Sequence, residues 1–132
     1  MIYHVLRFSL RDDLDDGERE EVCRQIASLA KLDTCLSATV CQDLGNPADG
    51  FTHSAVILLA SEQDYRDYLL DTYHTDVLEY VGPRWKKAMF CDAAEDFDPG
   101  IYDRIQQTLS EMQITPSLQA HLAEITVPAR PA

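Results

Sequence analysis

Nine residues at the start of the chain alternate strictly. Ile2, His4, Leu6, Phe8 and Leu10 fall on one side, and Tyr3, Val5, Arg7 and Ser9 on the other. Period-two alternation marks a strand with two unlike faces, so the chain must build a sheet whose more apolar side is covered. The period then changes. Asp13 to Asp16 supply helix-start chemistry, and Glu18, Glu20 and Glu21 complement the helix dipole. Val22, Cys23, Ile26, Leu29 and Ala30 carry the apolar stripe of that helix through about Leu32. Residues 35–43 predict a second strand, Gly45 to Gly50 a loop, and residues 52–60 a third strand, apolar on both faces from Ala55 to Leu59. Ser61-Glu62-Gln63-Asp64 resembles a capping box and opens a helix bearing Tyr65, Tyr68 and Leu69. That pattern breaks near Asp71 or Thr72, restarts around His74 and stops at Gly82-Pro83. Residues 86–94 read as the last strand.

The order is β-α-β-β-α-β, a split βαβ arrangement in the α+β class with both helices on one face of a mostly antiparallel sheet. The other sheet face, with Tyr3, Val5, Val56, Leu58 and either Met89 or Phe90, then needs a cover. A second copy of the chain is the simplest one, so a C2 homodimer is expected. Residues 1–95 make the domain, and residues 96–132 an extension. In it, Ile101, Ile105, Leu109 and Met112 mark an amphipathic helix, interrupted at Pro116. Leu118, Leu122 and Ile125 suit a short second helix, and Pro128 to Ala132 a loose end.

Net charge is −12, from 23 acidic and 11 basic residues, which opposes nucleic acid and anionic membrane surfaces as partners. No apolar run approaches the ~20 residues of a membrane span, and the N-terminus lacks signal-peptide patterning, so a cytoplasmic location is expected. Cys23 falls on the first helix stripe, and Cys35, Cys41 and Cys91 in predicted strands; reduced, small apolar residues are the expected role. Walker, Rossmann, G-x-S-x-G and H-E-x-x-H patterns are all missing, and no cofactor is expected.

His74, Val77, Leu78 and Val81 follow the i, i+3, i+4, i+7 rhythm of a buried stripe, with Tyr68 six positions before the histidine and Trp85 eleven after it. A histidine on an inward stripe near a tyrosine can do proton chemistry in a dry pocket. Leu6, Phe8, Val22, Ile26, Ala55, Leu69, Val77 and Leu78 would line an apolar cavity between sheet and helices, or equally fill a solid core. Trp85 suits either a pocket wall or a core anchor. Asp71 and Asp76 are expected to face water.

The opening Met1-Ile2-Tyr3-His4-Val5-Leu6-Arg7-Phe8, the Gly50-Phe51-Thr52-His53 entry into the third strand, and Tyr68 with His74 together resemble the stress-responsive A/B barrel (Dabb) family over about residues 1–95. The resemblance implies a ferredoxin-like subunit with an antiparallel four-stranded sheet, paired as a dimeric α+β barrel. Among members of known activity the pattern is most similar to a plant polyketide cyclase, which acts on a linear poly-β-ketoacyl thioester. Carried over residue by residue, the resemblance makes Tyr68 and His74 the catalytic pair and places His4, His53 and Trp85 in the pocket. The chain departs from the family's His-Pro-x-His motif, with Thr72-Tyr73-His74 in its place.

The concrete expectation is a cofactor-independent aldol cyclisation of a polyketide-like or aromatic small molecule, with His74 as base and Tyr68 as hydrogen-bond donor. Two alternatives stand beside it: a non-catalytic, stress-related or ligand-binding homodimer, and a cofactorless monooxygenase of the dimeric α+β barrel group. His4 and His53, near the starts of neighbouring strands, are expected to meet at one end of the sheet. No metal is expected there, because no fitting carboxylate is legible.

Overall fold

The computed structural model describes residues 1–128. Its sheet carries strands β1 (Ile2–Leu10), β2 (Cys35–Gln42), β3 (His53–Leu59), β4 (Trp85–Phe90) and a short β5 (Ala93–Ala94). Helix α1 spans Asp16–Ala27, α2 Glu62–Leu70 and α3 Thr72–Val81, followed by α4 (Gly100–Glu111) and α5 (Pro116–Ile125). The strand order is β2-β3-β1-β4, antiparallel throughout. This is the ferredoxin-like arrangement.

Local signals account for most boundaries. Asp15 caps α1 in a reciprocal box with Glu18, and the Ser61 side chain accepts from the Asp64 N–H at the start of α2. The α1 stripe does not run as one α-helix to Leu32; residues Ser28–Lys31 tighten into a 3-10 turn. The second helix breaks at Asp71, and α3 begins at Thr72 rather than His74, because Asp71 adopts an extended ψ of 133° and its carboxylate accepts from the Tyr73 N–H. Helix α4 ends at Met112, in extended backbone, so Pro116 does not interrupt a helix but occupies the first turn of α5.

The expected strand over 86–94 divides into β4 and β5, which leaves Cys91 between strands. At the division, the Cys91 N–H donates to the Val5 carbonyl, and the Asp92 side chain accepts from the Val5 N–H. A carboxylate thus takes the ladder place of a backbone carbonyl. Cys35 is buried, whereas Cys41 is exposed rather than part of the apolar core.

The core lies between the sheet and helices α1, α2 and α3. His4, Leu6 and Phe8 point into it beside Ala55, Ile57 and Leu59. Phe90 pairs with Leu6 on this inner face, so it is Met89, opposite Arg7, that joins Tyr3, Val5, Val56 and Leu58 on the outer one. These outer side chains are only half-buried.

The extension folds back over the domain. Arg104 of α4 pairs with Glu62 of α2, and Arg66 donates to Thr108. The Thr115 N–H and hydroxyl donate to Glu79. After α5 the chain runs alongside β4, where the Val127 N–H donates to the Ala88 carbonyl at 2.8 Å and Thr126 bridges to Ala88. An edge strand that would offer its backbone to other chains is thereby covered. The loose end expected over Pro128 to Ala132 falls, from Ala129 onward, outside the described residues. No helix among the described residues is long and apolar enough to cross a membrane.

Candidate functional site

The break between α2 and α3 builds the centre of the site. A helix end leaves its last carbonyls without intrahelical partners. Here the Leu69 carbonyl accepts from Nδ1–H of His74 at 3.1 Å, across the break. This bond holds the imidazole inward and leaves Nε2 as its free lone pair. Tyr68 sits one residue before that carbonyl and turns the same way, so its ring lies 4.5 Å from that of His74. Both side chains are buried: Tyr68 is 1% exposed and His74 7%.

A second polar group faces them from the sheet. The His4 ring lies 6.0 Å from Tyr68. Its Nδ1–H donates to Asp92 at 2.7 Å and also lies 2.9 Å from the Tyr65 hydroxyl, which itself donates to the other Asp92 oxygen. Asp92 is bonded to two buried side chains while its own side chain keeps 30% exposure, so it sits at a rim.

The electrostatics follow from burial. Desolvation, helped by the nearby His4, lowers the His74 pKa to about 4, so its imidazole is neutral at physiological pH. Desolvation raises the Tyr68 pKa well above the usual phenol value, and Tyr68 keeps its proton as a donor. Burial alone would raise the Asp92 pKa, but the His4 charge and hydrogen bonds from His4, Tyr65 and the Val5 N–H hold it below the ordinary carboxylate value.

These groups line a cavity of about 1200 Å³ between sheet and helices. That exceeds the ~300–1,000 Å³ usual for small-molecule sites. Of the residues named from sequence, His4, Leu6, Ile26, Tyr68, Leu69, His74, Val77, Leu78 and Trp85 all stand in its wall. Phe8, Val22 and Ala55 do not; all three are fully buried outside it. Nor does the structure bring His53 to His4. The two strands are antiparallel, so histidines near the start of each lie at opposite ends: His4 pairs with Ile57, and His53 with Phe8. His53 stacks on the Phe8 ring at 5.1 Å and bonds to the Thr52 hydroxyl. Asp71, expected to face water, is half-buried and caps α3, and Asp76 is exposed. Among the described residues, no three His, Cys, Asp or Glu side chains converge as metal ligands.

Sequence reasoning missed three parts of the site. Tyr65 was legible, three residues before Tyr68 on the same helix face. Asp92 left no local signal, because its partner His4 is 88 positions away. The cavity wall formed by α4 and α5 was equally hidden.

The arrangement pairs a neutral imidazole, as proton acceptor, with a phenol as proton donor, in a largely apolar chamber. The profile of the stress-responsive A/B barrel domain matches residues 2–94. No curated protein matches the sequence at a significant level. Among solved structures, an Arabidopsis thaliana protein superposes with a TM-score of 0.67 at 19% identity, over 74% of this chain and 98% of its own. A dimeric ferredoxin-like protein of unknown function from Thermobifida fusca gives 0.60 at 22% identity, over 70% and 89%. The hydroxynitrile lyase of Passiflora edulis gives 0.65 at 17% identity, over 74% and 96%. At such identities the likeness is one of fold.

Proposed function

Because this chain belongs to the stress-responsive A/B barrel family, we propose that it is a cofactor-independent enzyme that moves protons on a small carbonyl compound, most concretely in an aldol ring closure. The observation that carries this reading is the Tyr68–His74 pair, ring centroids 4.5 Å apart in the wall of a large cavity.

Nε2 of neutral His74 takes the proton from a carbon lying between two carbonyls. The Tyr68 hydroxyl donates to the oxygen on which the enolate charge develops. The enolate carbon then attacks a distal carbonyl of the same molecule. A carbon–carbon bond forms, the carbonyl π pair becomes an alkoxide, and the alkoxide recovers the proton from His74. Burial disfavours the imidazolium in the empty site, and the enolate beside it offsets that cost during the step. His4, oriented by Asp92 and Tyr65, faces the same chamber, where its Nε2 accepts from an enol hydroxyl of the substrate and positions it. The Passiflora edulis fold neighbour is named a hydroxynitrile lyase, and this name supports a lyase reading.

With a linear poly-β-ketone thioester as probe, His74→Ala and Tyr68→Phe should each lower turnover on the order of 100-fold. Circular dichroism and assembly state should stay as in the parent. Unchanged turnover in both variants would falsify the mechanism; binding of the probe without turnover in the parent would leave a ligand-binding protein.

We further propose a homodimer packed through the outer sheet face. The described residues offer no element to cover Val5, Val56, Leu58 and Met89. The Thermobifida fusca neighbour, described as dimeric, supports this reading.

A further inference from the structure

The family profile ends at residue 94, and about three quarters of this chain is enough to span the solved neighbours nearly whole. Helices α4 and α5 are therefore an addition to the compact domain, and they are built into the cavity. Ile101, Ile105 and Leu109 of α4 and Met112 at its C-terminal cap stand in its wall, with Leu122 of α5 also lining it. The spacing i, i+4, i+8, i+11 sets the four in a single file along one helix face, over about 16 Å at the α-helical rise. The polar groups are gathered elsewhere: the His4, Tyr65, Tyr68 and His74 rings form one contiguous cluster with neighbouring centroids 4.5 to 6.2 Å apart. Two of these, His74 and Tyr68, are more than nine-tenths buried and stand in the cavity wall, where His74 uses Nδ1 for the Leu69 carbonyl and keeps Nε2 for a ligand.

A chamber with a compact polar cluster and a long aliphatic file matches a ligand of the same shape. We propose that α4 forms a tail subsite, and that the cavity takes a carbonyl compound bearing an unbranched saturated chain, its oxygen at Tyr68 and its chain along Ile101 to Met112. The single-file stripe is itself aliphatic and favours a linear chain, while Tyr102 and Gln106 are the polar side chains that α4 adds to the wall beside it. Arg104, clamped by Glu62 and Asp98, and the Arg66–Thr108 bond fix the helix against α2, so the wall is preformed. The placement of the carbonyl rests on the proposed function; the tail subsite rests on the wall.

Methyl ketones with hexyl, octyl and decyl tails are titrated into the protein. Binding is read from the fluorescence of Trp85, the sole tryptophan, which stands in the cavity wall. The dissociation constant should fall about fourfold for each added methylene. Leu109→Phe should block the decyl ketone by at least about tenfold and leave the hexyl ketone unchanged. Ile105→Ala, which removes bulk and introduces no clash, should flatten the dependence on tail length. Affinities indifferent to tail length, or variants that weaken all three ketones equally, overturn the subsite. Tyr68→Phe separates the two readings. Equal weakening of every ketone supports the head-group contact, whereas no weakening with the length dependence intact removes that contact and leaves the subsite standing.

Discussion

At the scale of the residue, His74 shows how burial sets chemistry. Its ordinary value of 6.5 drops to about 4 in the folded chain, chiefly through desolvation. The sign of the consequence is fixed. Below 6.5 the unfolded chain takes up a proton that the folded chain refuses, so stability is full above that pH and is lost as pH falls toward 4. The loss from this group approaches about 3 kcal/mol at the acid end. Urea midpoints across that window should fall in the parent, and His74→Leu should remove most of this dependence. Single residues also mark the boundary of what was legible. Tyr68 and His74 lie six positions apart on neighbouring helices, so short-range periodicity reads both as inward-facing, as they are. His53 was misplaced because the direction of a partner strand, and hence the end at which its first residue lies, is a property of the sheet.

At the scale of the element, the junction of α2 and α3 is where local chemistry meets the proposed function. Asp71 caps α3 by accepting from the Tyr73 N–H at 2.8 Å, and the break it creates frees the Leu69 carbonyl for His74. Asp71→Ala should cost about 1 kcal/mol of stability by chemical denaturation. It should also slow turnover of the poly-β-ketone probe, because the helix start that carries His74 loses its anchor. The sequence showed a break at this point through its changed pattern, but not its use. Strand β4 was placed four residues too long for a complementary reason. Asp92 satisfies the Val5 N–H from its side chain, so the ladder is interrupted without an unpaired donor, and no letter pattern reports such a substitution.

At the scale of the whole molecule, the two faces of the sheet have different fates. The inner face is closed by five helices in part around a hollow, while the outer face presents half-buried Val5 and Val56 directly opposite each other. Placing an ammonium there would bury a charge against its own symmetry mate in the proposed dimer. Val56→Lys should convert the dimer to a monomer in analytical ultracentrifugation, with the far-ultraviolet circular dichroism of the folded chain retained. A parent that sediments as a monomer would remove the dimer from the account.

The sequence by itself determined the order of elements, the inner faces of β1 and β3, the capped helix starts and the break that carries His74. All of these arise from hydrogen bonds and side-chain periods within a few residues, which is the range over which letters constrain one another. Tertiary structure alone decided that Asp92 meets His4, that His53 lies away from it, that Phe8, Val22 and Ala55 are buried outside the cavity, and that α4 and α5 turn their aliphatic faces to it. Those outcomes depend on strand direction and on which helix closes over which surface, quantities set by the packing of residues tens of positions apart.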